Sequence, residues 1–264
     1  MMDSQPDLQD LPDYRWNESD LAAGYDAEAV HIHPHYVELQ ETIVNLLPLD
    51  TGSDCLFVDA GGGSGRLAEK ILRRFSRSRA VLVDQSAAFL KLARARLEPY
   101  GERAALVEAR LQDDWSGQLP CTPAAIVSMS AIHHLAPEEK AAFYRRCHDA
   151  LSPGGILMNG DEVRPADDVR YLAECRNWVA HMQRIIEAGL VSGPMSDALR
   201  KWEMRNVGQF GQPRQSGDDC HETVDAQLGY FRAAGFGAAD APWQKGLWAL
   251  LRGVKCEATA ARSV

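Results

Sequence analysis

Short apolar runs alternate with amphipathic stretches through the middle of the 264-residue chain. The apolar runs are "CLFVD", "AVLVD", "AALVEARL", "AAIVSMSAI" and "GILMNGDE", and each predicts a strand. Between them, "GRLAEKILRRF", "SAAFLKLARARLEPYG" and "PEEKAAFYRRCHDALSPGG" place apolar residues at helical spacing. Continuous apolar strands that alternate with amphipathic helices predict a mostly parallel sheet covered by helices on both faces.

Three further segments complete the predicted architecture. Residues 1–50 are helical from Tyr14 to Leu47, with a break at Pro34, and form an N-terminal helical cap. Residues 164–219 interrupt the alternation with two helices and a polar loop, and we predict that this insertion is a helical lid. Residues 51–163 and 220–256 form the core, which ends in a helix and an antiparallel hairpin that turns near Gly246.

The turn after the first strand reads "DAGGGSGR", from Asp59 to Arg66. A dinucleotide fingerprint, G-x-G-x-x-G, would need glycine where Arg66 stands. Asp59 instead supplies a carboxylate two residues before Gly61, which suits a cofactor with a cationic part. S-adenosylmethionine has such a part, an α-amino group beside a sulfonium. Asp84 closes the second strand and could accept hydrogen bonds from ribose hydroxyls, although NAD enzymes share that feature.

Four motifs and the C-terminal hairpin together resemble the class I S-adenosylmethionine-dependent methyltransferases of small-molecule type. The motifs are "VDAGGGSGRLA", "VLVDQSAAFLKLAR", "AAIVSMSAIHHL" and "LSPGGILMNGDE". The resemblance implies a Rossmann-like seven-stranded α/β fold, with S-adenosylmethionine as the cofactor and S-adenosylhomocysteine as the product. The cofactor-binding residues that it implies are Asp59, Gly61, Gly62, Gly63, Gly65, Asp84, Gln85, Arg110, Leu111, Ser128 and Tyr25.

One position departs from the family pattern. Arg110 stands where many relatives carry an aspartate that accepts a hydrogen bond from the adenine amino group, and arginine cannot accept one. Either Asp113 or Asp114 takes that role after a small shift in register, or the Leu111 backbone and apolar contacts hold the adenine.

The acceptor should lie beyond the carboxyl ends of strands four and five, because ligands of this fold bind there. His133 and Asp161 are therefore the predicted catalytic residues, with His133 as a base of near-neutral pKa. The predicted substrate-binding residues are His134, Glu162, Trp178, His181 and His35. Plainer interpretations stay open, since a histidine there can cap a helix or shape the cofactor pocket, and Trp178 and His181 can simply pack.

The sequence predicts no metal site. His31, His33 and His35 alternate, but Pro34 interrupts any regular geometry and no acidic or cysteine partner accompanies them. The six cysteines form no C-x-x-C pair, no apolar run reaches membrane-spanning length, and the N-terminus is polar. We therefore expect a cytoplasmic protein that binds no membrane.

The net charge of −9 disfavours a nucleic-acid partner. A lid also suits a small-molecule methyl acceptor, methylated on an O, N or C atom, in secondary metabolism. The alternatives are a tRNA or protein methyltransferase, a non-catalytic cofactor-binding module and, less favoured, a nicotinamide dehydrogenase. A homodimer is compatible with the sequence.

Overall fold

A seven-stranded sheet forms the centre of the protein in the computed structural model, which describes residues 15–52 and 54–257. Residues 1–14 of the predicted cap, including Tyr14, lie outside that description. The strands are β1 (Leu56–Ala60), β2 (Arg79–Asp84), β3 (Ala104–Glu108), β4 (Ala125–Met129), β5 (Ile156–Glu162), β6 (Ala238–Lys245) and β7 (Trp248–Val254). Their order is β3-β2-β1-β4-β5-β7-β6. Strands β1 to β5 are parallel, and β7 is antiparallel to both neighbours, which confirms the predicted fold class.

Within the described part of the chain, eight α-helices accompany the sheet. They are α1 (Ser19–Ile32), α2 (Tyr36–Leu46), α3 (Arg66–Arg74), α4 (Ala87–Leu97), α5 (Pro137–Ala150), α6 (Asp168–Glu187), α7 (Gly193–Glu203) and α8 (Val224–Ala234). Helices α2, α3 and α4 share one apolar core with one face of the sheet, built on Ile43, Phe57 and Ile71. Helices α5 and α8 share the other core, built on Ile126 and Phe231. The sheet is thus buried on both faces, as its continuous apolar strands predicted.

The helix ends follow from local sequence. The Ser86 hydroxyl accepts a hydrogen bond from the backbone N–H of Phe89 and so caps α4. Gly235 adopts a left-handed conformation, with a φ of 106°, and ends α8. The chain reverses between α1 and α2 at His33–His35, around the predicted break at Pro34.

Helices α1, α6 and α7 pack on one another, and together they cover the edge of the sheet where β1, β2 and β4 end. Helices α6 and α7 lie in the predicted insertion, and a wider helical turn, Met204–Gly208, continues α7. Within residues 15–52 and 54–257, no helix combines the length and the apolar content needed to cross a membrane.

A largely buried ion-pair cluster fixes α1 over the core. The Asp26 carboxylate accepts hydrogen bonds from Arg66 Nε and Arg96 Nη2, each at 2.8 Å, and from Ser64 Oγ at 2.5 Å. Arg66 also donates to the Asp26 carbonyl oxygen at 2.5 Å. Because two cations share one carboxylate, its removal leaves both of them without their main counter-charge.

We predict that Asp26→Asn lowers the free energy of unfolding by about 2 kcal/mol, because it leaves two largely buried guanidinium groups poorly paired. Chemical denaturation measures the change. Asp240→Asn is the matched control, since the Asp240–Arg252 pair lies on the exposed hairpin, and it should cost at most about 0.5 kcal/mol. Equal effects of the two substitutions would contradict this account of how α1 is held.

Candidate active site

A cavity of about 440 Å³ lies between the carboxyl ends of the parallel strands and the covering helices. Its volume falls in the range of small-molecule sites. The predicted site residues that line it are Tyr25, Asp59, Gly61, Gly62, Gly63, Asp84, Gln85, Arg110, Leu111, His133, His134, Glu162 and Trp178. Those that do not line it are Gly65, Ser128, Asp161, His181 and His35. The sheet edge thus collects side chains from segments far apart in sequence.

The glycine turn forms one wall of the cavity. Gly61 and Gly63 have φ values of 69° and 54°, in the left-handed region that side chains disfavour. A Cβ on Gly61 would lie 2.5 Å from the Ala131 Cβ, so the turn and the loop after β4 approach too closely for any other residue. Gly65 has a different task. It begins α3 and faces Leu97 and Leu82, so it serves the packing of the helix rather than the cavity.

Asp59 lies beneath this turn and is 1% exposed. Its Oδ2 accepts a hydrogen bond from the backbone N–H of Ala68 at 3.1 Å, while its Oδ1 has no partner among the described residues. Burial raises the pKa of this carboxyl to about 7; the bond from Ala68 opposes the shift and the nearby Asp84 charge adds to it. A buried, unpaired carboxylate oxygen at a cavity wall is suited to a cationic ligand.

Asp84 closes β2 at the same wall. Its Oδ2 accepts from the Gly63 N–H at 2.9 Å, and its Oδ1 accepts from the Ser86 N–H at 2.8 Å. Burial raises its pKa to about 6, against the lowering effect of these backbone bonds. The carboxylate therefore braces the glycine turn, and Gln85 lines the cavity beside it.

The loop after β3 contains two acids near Arg110, Asp113 and Asp114. Asp113 accepts from the Arg110 backbone N–H at 3.2 Å, and Asp114 accepts from Ser116 Oγ at 2.7 Å. Neither acid lines the cavity, because both serve the loop itself. Leu111 and Gln112 do line it, which is compatible with the second of the two predicted alternatives, contacts from this stretch of chain. Gln112 was not predicted.

The cap contributes an aromatic cover. The Tyr25 hydroxyl lies 2.9 Å from His33 Nε2 and 3.4 Å from Ser130 Oγ, and its ring contacts Trp16 and Phe89. Burial lowers the pKa of His33 to about 4, so its imidazole is neutral. Tyr25 lies at the cavity as predicted, and Trp16, Phe89 and His33, which are not among the predicted site residues, line it as well.

Two substrate-binding predictions fall outside the cavity. His35 packs on Trp243 at the outer surface, because the chain turns between α1 and α2 and directs His33 inward instead. On α6, Trp178 and Met182 face the cavity, and Trp178 Nε1 donates to the Ile32 carbonyl. His181 instead lies 2.7 Å from the His31 carbonyl, through its Nε2, and joins α6 to α1.

Ser128 and Asp161 lie behind the cavity wall, both fully buried. Asp161 holds His133 at two points: its Oδ1 is 2.7 Å from His133 Nδ1, and its Oδ2 accepts from the His133 backbone N–H at 2.8 Å. Burial acts to raise the pKa of Asp161, but the facing imidazole outweighs it and the pKa is lowered. Asp161 is thus placed to orient His133 rather than to touch a substrate.

Three carboxylates surround His133. Its Nε2 lies 3.9 Å from Glu162 Oε1 and 4.0 Å from Asp219 Oδ1, in addition to the bond with Asp161. Burial alone would lower its pKa, but the carboxylates prevail and raise it to about 9. The carboxylates therefore favour a positive charge at this position, and the role of His133 as a base stays a prediction. Asp219, from the loop before α8, was not predicted.

Comparison with known proteins agrees with this geometry. A family described as a methyltransferase domain matches residues 58–157. Carboxy-S-adenosyl-L-methionine synthase from Pseudomonas putida (strain W619) is 29% identical over 178 residues, which cover 63% of this chain and 71% of that protein. These matches support the predicted class I S-adenosylmethionine-dependent methyltransferase. The cofactor of this methyltransferase domain is S-adenosylmethionine, as the glycine turn and Asp59 predicted.

Solved structures share the fold of the methyltransferase domain. An O-methyltransferase family protein from Burkholderia thailandensis superposes with a TM-score of 0.62 at 17% identity, over 92% of this chain and 64% of that one. An O-methyltransferase family 2 protein from Planctomyces limnophilus, in complex with apigenin, superposes with a TM-score of 0.59 at 16% identity, over 90% and 62%. The chain thus spans somewhat under two thirds of the length of these two proteins.

We predict that Asp59→Asn stabilises the ligand-free protein at pH 8 by about 2 kcal/mol, because an amide of equal size removes the cost of a buried charge. The same change should weaken S-adenosylmethionine binding at least tenfold, since Asp59 would pair with the α-amino group. Denaturation and calorimetry measure the two effects. A more stable variant with unchanged affinity would show that Asp59 does not face the cofactor.

We predict that the affinity for S-adenosylmethionine decreases as the pH falls from 8 to 5. The carboxyls of Asp59 and Asp84, with pKa values of about 7 and 6, gain protons in that range and lose the charge that attracts the ligand. Calorimetry at a series of pH values measures the change. Asp59→Asn should remove the part of the decrease near pH 7, and a flat wild-type profile would contradict the assignment.

Proposed function

We propose that the protein transfers the methyl group of S-adenosylmethionine to a small organic acceptor enclosed beneath the helical lid. One observation carries the proposal. The cavity that contains the glycine turn and Asp84 continues without interruption to Glu162, Trp178 and Trp202 under the covering helices. A single space with the glycine turn and Asp84 on one side and tryptophans on the other favours a second small molecule beside the cofactor.

The residues of the cofactor wall fit S-adenosylmethionine. The unpaired Oδ1 of Asp59 would receive the α-amino group, and Asp84 would receive the ribose hydroxyls. The glycine turn leaves room for close approach of the backbone, while Leu111 and Gln112 would lie against the adenine. When bound, the cofactor supplies the activated methyl group. The protein supplies orientation and exclusion of water.

The opposite wall, which we call the acceptor wall, combines apolar and acidic side chains. Trp178, Met182 and Trp202 come from the lid, whereas Glu162 and Asp219 come from the core and the loop before α8. An acceptor with a flat apolar body and a hydroxyl or amino group would match both surfaces. Its methylated atom would be oxygen, nitrogen or carbon, and such compounds belong to secondary metabolism.

Carboxy-S-adenosyl-L-methionine synthesis is a second candidate, because several of the curated relatives carry that name. Its product carries a carboxylate that S-adenosylmethionine lacks, and such a group requires a cation beside it. Among the described residues that line the cavity, the arginines are Arg66, which is paired with Asp26, and Arg110, at the end of β3. The acceptor wall instead presents carboxylates around a buried imidazole, a poorer match to a further carboxylate than an arginine would give.

Methylation of a tRNA or protein is less compatible with a cavity covered by helices and with the net charge of −9. The histidine–carboxylate arrangement at the acceptor wall also favours an enzyme over a module that merely binds the cofactor. Cofactor binding alone does not require a buried histidine surrounded by carboxylates, which the described residues of that wall provide.

We predict that the purified protein, given S-adenosylmethionine and a panel of phenols, catechols and amines of cavity size, releases S-adenosylhomocysteine with at least one acceptor. Mass spectrometry should detect an acceptor that has gained a methyl group. Asp84→Ala should lower cofactor affinity and turnover by at least tenfold, while Asp240→Asn, on the exposed hairpin, should leave both unchanged. Formation of carboxylated S-adenosylmethionine instead would establish the second candidate, and binding without any turnover would favour the module.

A further inference from the structure

Two histidines and one aspartate converge at the acceptor wall. His133, His134 and Asp219 each offer a nitrogen or carboxylate oxygen, and these atoms lie within 4.8 Å of one another. His134 Nδ1 is 3.7 Å from Asp219 Oδ1, and His133 Nε2 is 4.0 Å from the same oxygen. Ligands around a zinc ion stand about 3.4 Å apart, so the set would have to draw closer to bind one ion, by a few tenths of an ångström for the two pairs that involve Asp219.

Two of these side chains, His133 and Asp219, are held from behind in the way metal ligands are, whereas His134 Nδ1 lies 3.2 Å from the Asp218 carbonyl oxygen. His133 Nδ1 bonds to Asp161 Oδ1, which directs Nε2 to the centre of the cluster. Asp219 Oδ2 accepts from Asn206 Nδ2 at 2.8 Å and Arg205 Nη2 at 3.3 Å, which directs Oδ1 to the same centre. A carboxylate behind a histidine fixes both the tautomer and the direction of the ligating nitrogen.

A carboxylate lies beside the three groups. Glu162 Oε1 is 3.9 Å from His133 Nε2, and its Oε2 is held at 2.8 Å by His221, whose Nδ1 meets the Tyr171 hydroxyl at 2.6 Å. A buried chain thus fixes Glu162 with one oxygen turned to the cluster. It could serve as a fourth ligand or accept a hydrogen bond from a water bound to the ion.

The charge balance favours a cation at this point. Asp161, Glu162 and Asp219 bring three carboxylates to the cluster, and Arg205 is paired with the far oxygen of Asp219. A metal ion would take the place of the proton that these carboxylates favour on His133. Two imidazoles and one carboxylate are a ligand set for first-row divalent ions such as Zn²⁺, Fe²⁺, Mn²⁺ and Co²⁺, whereas Mg²⁺ and Ca²⁺ prefer oxygen alone.

We propose that His133, His134 and Asp219, with Glu162 beside them, form a binding site for one first-row divalent metal ion at the acceptor wall. The ligands are buried or partly buried and border the cavity, so solvent can deliver the ion. Three protein ligands leave coordination positions open towards the cavity. If the proposed methyl transfer is correct, a hydroxyl of the acceptor could occupy one of them, but the metal site itself does not depend on that function.

Calorimetry with Zn²⁺ and the absorption spectrum with Co²⁺ test the site on the full chain, without cofactor or acceptor. We expect one ion per chain and visible Co²⁺ bands typical of nitrogen and oxygen ligands. His134→Gln and Asp219→Asn should each weaken Zn²⁺ binding at least tenfold. His35→Gln is the matched control, because it removes a surface histidine that also lies near a carboxylate, Glu38 at 3.6 Å, and its affinity should be unchanged.

The absence of Zn²⁺ and Co²⁺ binding to the wild-type protein would overturn the proposal, and so would equal losses in His35→Gln and His134→Gln. Circular dichroism checks that each variant is folded. If a variant does not fold, the wild-type Co²⁺ spectrum and its displacement by Zn²⁺ decide the question alone. Metal binding without any methyl transfer would leave this site in place and contradict only the proposed function.

Discussion

The burial of ionisable carboxyl groups beneath the glycine turn is the constraint on which the rest of the site depends. Asp59 lies in the first strand with one oxygen unpaired, and Asp84 braces the turn from the second. Such groups cost stability in the ligand-free protein, as their raised pKa values indicate. The apolar packing on both faces of the surrounding sheet offsets the free-energy cost of burying these carboxyl groups. A cationic cofactor would reduce that cost.

Buried carboxyl groups also characterise the acceptor wall. Asp161, Glu162 and Asp219 are buried around His133, and each has a hydrogen-bonding or ionic partner. Buried charges persist when partners satisfy them, and here the partners include a histidine, an arginine and a network that ends at Tyr171. The protein thus has two buried acidic regions in one cavity. One suits the cofactor, and the other suits an acceptor group or a metal ion.

The helical lid covers both regions, which line one cavity. Asp26 anchors α1 to the core through Arg66 and Arg96, and Trp178 of α6 bonds to the end of α1 at Ile32. The covering helices therefore depend on polar contacts with the core as well as on their apolar faces. This arrangement gives the cavity an aromatic cover that the sheet alone would lack.

The sequence by itself determined the sheet, the glycine turn, Asp59 and Asp84, because local periodicity and a contiguous motif carry that information. It also placed His133 at the site, since the residue directly follows a strand. Only the tertiary structure decided that His33 rather than His35 faces inward, that Asp113 and Asp114 serve their own loop, and that Asp219 meets His133. These outcomes depend on how the chain turns between elements and on segments distant in sequence, and no local pattern encodes either.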